Sequence, residues 1–120
     1  MLLMLHYYKQ GKISLEKIAE KMSHAVADCF QVKERGYIRE GYYADLVIID
    51  PQATTTVSTN NILYKCGWSP LEGFEFPAAI THTFVNGHIV YGCPAESSND
   101  AIWNPVWDES KFGERLKFDR

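Results

Sequence analysis

The sequence predicts an α+β fold, a helix pair followed by a small, partly antiparallel β-sheet, and three observations predict it. Apolar residues recur at helical spacing through residues 1–34. From Arg35 the pattern turns extended, and an apolar run ends at Pro51. Further on, an Asn86-Gly87 pair separates two extended runs. A length of 120 residues with 46% hydrophobic and 13% aromatic content is enough to bury one core.

Leu2, Leu3, Leu5 and Tyr8 keep helical spacing up to Gly11, which suits a helix ending on a left-handed glycine, so the chain is expected to begin inside a helix. Ser14 can accept from the free N–H groups of the next first turn. Residues 17–30 follow with Ile18, Met22, Val26 and Phe30 on one face, and the two helices are expected to run antiparallel. Gly36, Gly41 and Tyr42-Tyr43 lead into Ala44-Asp45-Leu46-Val47-Ile48-Ile49-Asp50, read as a buried strand. Residues 54–57 give a second short strand, and 60–73 a loop with one helical turn at most. Asn and Gly both tolerate the positive φ of a type I′ turn, so residues 80–91 form a hairpin. The polar tail 94–120, interrupted by Pro94 and Pro105, keeps Trp103, Trp107, Phe112, Leu116 and Phe118 as anchors for wrapping a surface.

Twelve Lys+Arg against fifteen Asp+Glu give a net charge of -3 with no basic stripe, which argues against a nucleic-acid partner. No apolar run nears the roughly 20 residues of a membrane span, and Met1-Leu2-Leu3-Met4-Leu5 is too short for a signal segment. A cytoplasmic location is the expectation. Cys29, Cys66 and Cys93 are far apart and odd in number, and read as reduced thiols.

The run Gly36-Tyr37-Ile38-x-x-Gly41-x-x-Ala44-Asp45-Leu46-Val47-Ile48-Ile49-Asp50, followed by Val85-Asn86-Gly87-x-x-Val90-Tyr91, resembles the closing stretch of cyclic amidohydrolases. Ser69-Pro70-Leu71-Glu72-Gly73 ahead of Thr83-Phe84-Val85-Asn86-Gly87 narrows the resemblance to bacterial dihydroorotases, since hydantoinases and allantoinases usually differ at that loop. The likeness is strong over about residues 1–92 and loose in the tail. One departure is Ala25-Val26-Ala27, where the family often has Asn-Pro-Ala; losing that cap favours a continuous helix through Phe30, with Ser23 as a substitute cap.

The resemblance implies that residues 1–34 correspond to the last helices of a (β/α)₈ barrel. It makes 35–92 the C-terminal half of a small β-sandwich and 93–120 a wrapping tail. It implies a zinc-dependent parent that interconverts dihydroorotate and carbamoyl aspartate in pyrimidine biosynthesis. There a metal-bound hydroxide attacks the ring carbonyl and an Asp shuttles the proton. A barrel alone takes ~250 residues, so this segment is expected to be structural, with no catalytic, cofactor-binding or metal-binding residue of its own. Its expected partners are a second copy or the missing N-terminal barrel portion. Rival readings are a non-catalytic interaction module and a fragment of a hydantoinase-like or allantoinase-like enzyme.

The individual residues agree with that expectation. No His-x-His occurs, and His6, His24, His82 and His88 stand alone; His82 and His88 flank the hairpin turn, where a two-His metal site is the sharp reading and an exposed face the preferred one. Asp45 and Asp50, five apart on an extended strand, point to opposite faces and read as turn stabilisers, not an acid/base pair. Ser69 lacks a neighbouring base, and Gly36 with Gly41 lacks phosphate-loop spacing. Tyr37, Tyr42, Tyr43, Trp68, Phe74 and Phe76 read as filling a seam between sandwich and barrel more readily than as lining a ligand pocket.

Overall fold

The computed structural model describes residues 1–92 and 106–119. Helix α1 (Leu2–Lys9) ends at Gln10, whose N–H donates to the His6 carbonyl, and Gly11 follows at φ +71°. Left-handed backbone at that point reverses the chain at no Cβ cost. Helix α2 (Leu15–Ala19) opens on Ser14, whose hydroxyl accepts from the Lys17 N–H at 3.2 Å. The helix then widens into a π segment (Glu20–His24), with the Ala25 N–H reaching the Glu20 carbonyl five residues back. It resumes as α3 (Ala25–Phe30) and stops at Gln31, φ +54°. Helical backbone from residue 15 to 30 is therefore unbroken, as expected without the Asn-Pro cap, and the start of α3 has no side-chain cap from Ser23 or any other residue.

The expected apolar face on this helix is corrected in one respect. Ile18 is buried, but Met22, Val26 and Phe30 are exposed. The π turn breaks the 3.6-residue phase after Ile18, and Ala27 is the residue of α3 that enters the core.

Four strands form the main sheet in the order β1-β4-β5-β6: β1 (Leu46–Asp50), β4 (Ala79–Val85), β5 (His88–Gly92) and β6 (Val106–Trp107). A separate two-stranded ribbon joins β2 (Thr55–Thr56) to β3 (Glu75–Phe76). All four strand pairings are antiparallel. Between β4 and β5, Asn86 at φ +52° and Gly87 at φ +79° give the expected type I′ geometry. Strand β1 is extended as expected but not buried: Val47 and Ile48 are 44% and 48% exposed. It lies at the sheet's edge, and consecutive residues on a strand face opposite ways, so among the described residues neither face of β1 is fully covered.

Among the described residues the buried apolar core is Leu5, Ile18, Ala27, Phe76 and Ala78. It sits where α1 packs on both α2 and β3. The aromatic residues do not form one seam. Tyr37 and Tyr42 meet edge-on beside His24, which stacks on Tyr37 at 4.2 Å, whereas Phe74 and Phe76 pair at 4.8 Å next to His6. Trp68 is exposed. Residues 106–119 run back from the sheet to the end of α3, but Phe112, Leu116 and Phe118 are exposed and so are not the buried anchors the pattern suggested. Trp103, Pro94, Pro105 and Cys93 lie outside the described residues.

Candidate functional site

The most organised polar cluster joins three segments far apart in sequence. Arg35 follows the helix end, Asp45 precedes β1, and Asn86 opens the hairpin turn. Arg35 is 9% exposed. It pairs through Nη1 with Asp45 Oδ2 and donates from Nη2 to Asn86 Oδ1 at 2.9 Å. Asp45 Oδ1 accepts from the Asn86 N–H at 2.8 Å. The Gly87 N–H donates to the Ala44 carbonyl at 3.0 Å, and the Tyr43 N–H to the Glu34 carbonyl at 2.9 Å. Tyr43 also carries the guanidinium over its ring face at 4.2 Å. A largely buried cation thus has one full counter-charge, one neutral acceptor and one aromatic face.

Such an arrangement clamps backbone. Both Asp45 oxygens are engaged in holding it together. The expected turn-stabilising role of Asp50 is met, because its Oδ1 accepts from the Gln52 and Ala53 N–H groups at 2.8 and 3.3 Å. For Asp45 the expectation was too local: its backbone partner lies in the hairpin turn, 41 residues away. Arg35 was not singled out from sequence at all. The available signal was a lone Arg at the junction of two elements, with an Asp and an Asn at two other junctions.

The histidines are dispersed as read. His82 registers against Gly92 and its Nδ1 lies 3.1 Å from the Thr81 hydroxyl; His88 registers against Val85, and its Nε2 lies 3.5 Å from Asp108 Oδ2. His6 contacts Gln10 at 2.7 Å. Among the described residues no three His, Cys, Asp or Glu side chains converge as a metal site would require. Ser69 accepts from the Leu71 N–H at 3.1 Å as a turn residue. Gly41 is open turn backbone, but Gly36 has a second role: a Cβ there would lie 2.4 Å from the Ala27 Cβ, so the chain crosses tight against α3. Cys29 and Cys66 are free and exposed.

Tyr37 and Asp108 are among the groups whose acidity is shifted. The Asp28 carboxylate, accepting from the Tyr37 hydroxyl at 2.8 Å, raises the Tyr37 pKa. The hydroxyl and backbone N–H of Ser110 hold Asp108 below the usual carboxylate range, with His88 a lesser contributor. Neither belongs to a cluster that performs chemistry. Among the described residues, no helix is long and apolar enough to cross a membrane.

A helix pair leading into an antiparallel sheet with a Val-Asn-Gly hairpin is the combination that comparison with known proteins recognises. The amidohydrolase family model matches residues 1–90, and the chain belongs to that family. Among curated relatives, the allantoinase of Desulfitobacterium hafniense is 32% identical over 89 residues, covering 74% of this chain and 20% of that protein. The dihydroorotase of Pyrococcus horikoshii is 32% identical over 88 residues (73% and 21%), and that of Geobacter metallireducens 34% over 89 residues (74% and 21%). Among solved structures, the L-hydantoinase (dihydropyrimidinase) from Arthrobacter aurescens superposes with a TM-score of 0.67 at 31% identity, covering 75% of this chain and 20% of that one. The chain spans about a fifth of the length of the curated relatives it matches. Their names divide among dihydroorotase, allantoinase and hydantoinase at nearly equal identity, which supports the cyclic amidohydrolases and does not single out the dihydroorotases.

Proposed function

We propose that this chain is the C-terminal portion of a zinc-dependent dihydroorotase and that its own contribution is structural. The observation that carries the reading is the Ser69-Pro70-Leu71-Glu72-Gly73 loop set ahead of the Thr83-Phe84-Val85-Asn86-Gly87 hairpin, within a chain whose relatives include several dihydroorotases. In this reading the residues that hold zinc and move the proton belong to a barrel outside this segment. The Arg35–Asp45–Asn86 clamp fixes the helix end to the sheet, so that helices and sandwich act as one rigid support. A cytoplasmic site of action goes with this reading. The segment boundaries it implies are 1–34, 35–92 and 93–120.

A second reading, a hydantoinase-like or allantoinase-like parent, is favoured by the allantoinase and L-hydantoinase matches, which are as similar as the dihydroorotases. Activity separates the two. The purified chain and the full reading frame of its gene are each assayed with zinc on dihydroorotate, allantoin and hydantoin. The expected result is no turnover by the chain alone and preference for dihydroorotate by the full frame. Preference for allantoin or hydantoin overturns the first reading, and turnover by the chain alone overturns the structural role.

A further inference from the structure

We propose that residues 106–119 form a displaceable strap, closed beside the Arg35–Asp45–Asn86 clamp by backbone pairing at its two ends and by exposed ionic ties, with little buried apolar area holding it. At one end β6 registers Trp107 against Tyr91 and Val106 against Gly92, and the Asp108 N–H donates to the Val90 carbonyl at 3.1 Å. At the other end the Lys33 N–H donates to the Lys117 carbonyl and the Asp119 N–H to the Gln31 carbonyl, both at 2.9 Å, around a Val32–Phe118 bridge. Midway, Glu114 Oε2 accepts from the Tyr43 hydroxyl at 3.0 Å. Tyr43 is the ring beneath the Arg35 guanidinium, so the strap touches the rim of the clamp.

What holds the strap shut is weak in kind. Lys33 pairs with Asp119, and His88 with Asp108 as an ion pair only when the ring is protonated; all four side chains are well exposed. Exposed pairs are screened by salt and contribute little. Apolar burial is the main favourable term in folding, yet Phe112 is 88% and Val106 66% exposed, and Trp107, itself half exposed, sets its ring on Tyr91 at 4.7 Å. The family model matches residues 1–90, and the strap lies outside the matched stretch. Opening it would free the outer edge of β5 and the Lys33 N–H while leaving β1, β4 and the hairpin turn paired. The inference rests on these contacts alone and is independent of the substrate assignment.

Amide exchange resolved by NMR on the full chain tests it. The Lys33, Asp108 and Asp119 amides report the strap, and the Gly87 amide reports the clamp. The expected result is that the three strap amides exchange together, ~tenfold or more faster than Gly87. Raising salt from about 0.05 to about 0.5 M should speed them further and leave Gly87 unchanged. Asp119→Ala combined with Glu114→Gln should accelerate the same three amides selectively. Strap amides as slow as Gly87, or loss of Gly87 protection along with theirs in the variant, would show that the strap is integral to the fold. Fast strap exchange without salt dependence would overturn the ionic ties.

Discussion

Arg35 donates from Nη2 to the Asn86 side-chain oxygen at 2.9 Å across 51 residues of sequence, and both partners are also tied to Asp45. The geometry makes Asp45 the hinge of the arrangement, since it alone supplies the charge that Arg35 needs and also anchors the backbone N–H of the hairpin turn.

Replacing Asp45 with Ala should therefore cost about 2–3 kcal/mol of stability. Breaking a fully buried ion pair costs about 3–5 kcal/mol, and the Asp45 side chain is 35% exposed, so screening lowers the figure. Asp45→Asn keeps an acceptor for the Asn86 N–H and should recover part of the loss. Urea midpoints measure both; an unchanged midpoint for Asp45→Ala means the clamp holds nothing.

Gly36 and Gly11 share left-handed backbone, at φ +82° and +71°, but differ in surroundings. Alanine at Gly11 meets nothing within 4 Å and should cost about 1 kcal/mol for its conformation alone. At Gly36 the new Cβ would collide with the Ala27 Cβ at 2.4 Å, adding about 1–3 kcal/mol of overpacking. Equal losses for the two variants would show that the helix yields freely there.

Gly87→Val tests the turn itself. The nearest atom to a Cβ at that position is the Ala44 Cβ at 4.0 Å, so space is not limiting, whereas φ of +79° is hostile to a β-branched residue. A loss of more than ~1 kcal/mol is expected in thermal unfolding. An unaffected melting temperature would mean that the turn relaxes to another type.

The two ends of the strap should respond to opposite extremes of pH. Asp108 is depressed mainly by Ser110, so its contribution is present above the unfolded pKa and is lost as pH falls through the folded one. Lys33 is raised mainly by its hydrogen bond to Asp119, so its contribution is present below the unfolded pKa and is lost as pH rises through the folded one. Ring-proton shifts of Trp107 against Tyr91 should then move below about pH 4, and Phe118 shifts should move above about pH 10. Shifts that stay unmoved at both extremes would contradict this assignment.

Val47 and Ile48 on the sheet edge, with Met22, Val26 and Phe30 on the helix, leave a large apolar area uncovered. At about 25 cal/mol per Å², covering a few hundred Å² is worth several kcal/mol, so the isolated chain is expected to self-associate. Sedimentation equilibrium showing a single 13.7 kDa species over a wide concentration range would argue otherwise.

Local signals read well from sequence because their causes are local. Ser14, Gly11, Asn86-Gly87 and the stop at Pro51 each mark a boundary by the backbone geometry they permit, and the helix, strand and hairpin fall where those residues put them. What escaped depends on partners distant in sequence. Burial of β1 was inferred from its apolar run, but burial needs a facing layer, and none covers Val47 or Ile48 here. The apolar spacing of Ile18, Met22, Val26 and Phe30 assumed an undisturbed α-helix, which the π turn does not provide. Arg35 and Asn86 carry no periodic signature, so their meeting could be found only once β1 and the hairpin were in place. At the level of function, the family was legible in the Gly36–Asp50 and Val85–Tyr91 runs and is borne out, whereas the choice among its members rested on one loop.

The π turn at Glu20–His24 amounts to one surplus residue inside an otherwise regular helix. Each residue of an α-helix advances the face by about 100°, so this single residue sets the azimuth of everything that follows it. With the surplus in place, Ala27 is the side chain that meets Gly36, and the chain can cross at close range. Wound as a regular α-helix, the same residues would turn the bulkier Val26 toward the crossing. The widened turn thus acts as a phase adjuster, matching the smallest side chains of two elements where the helix hands the chain over to the sheet.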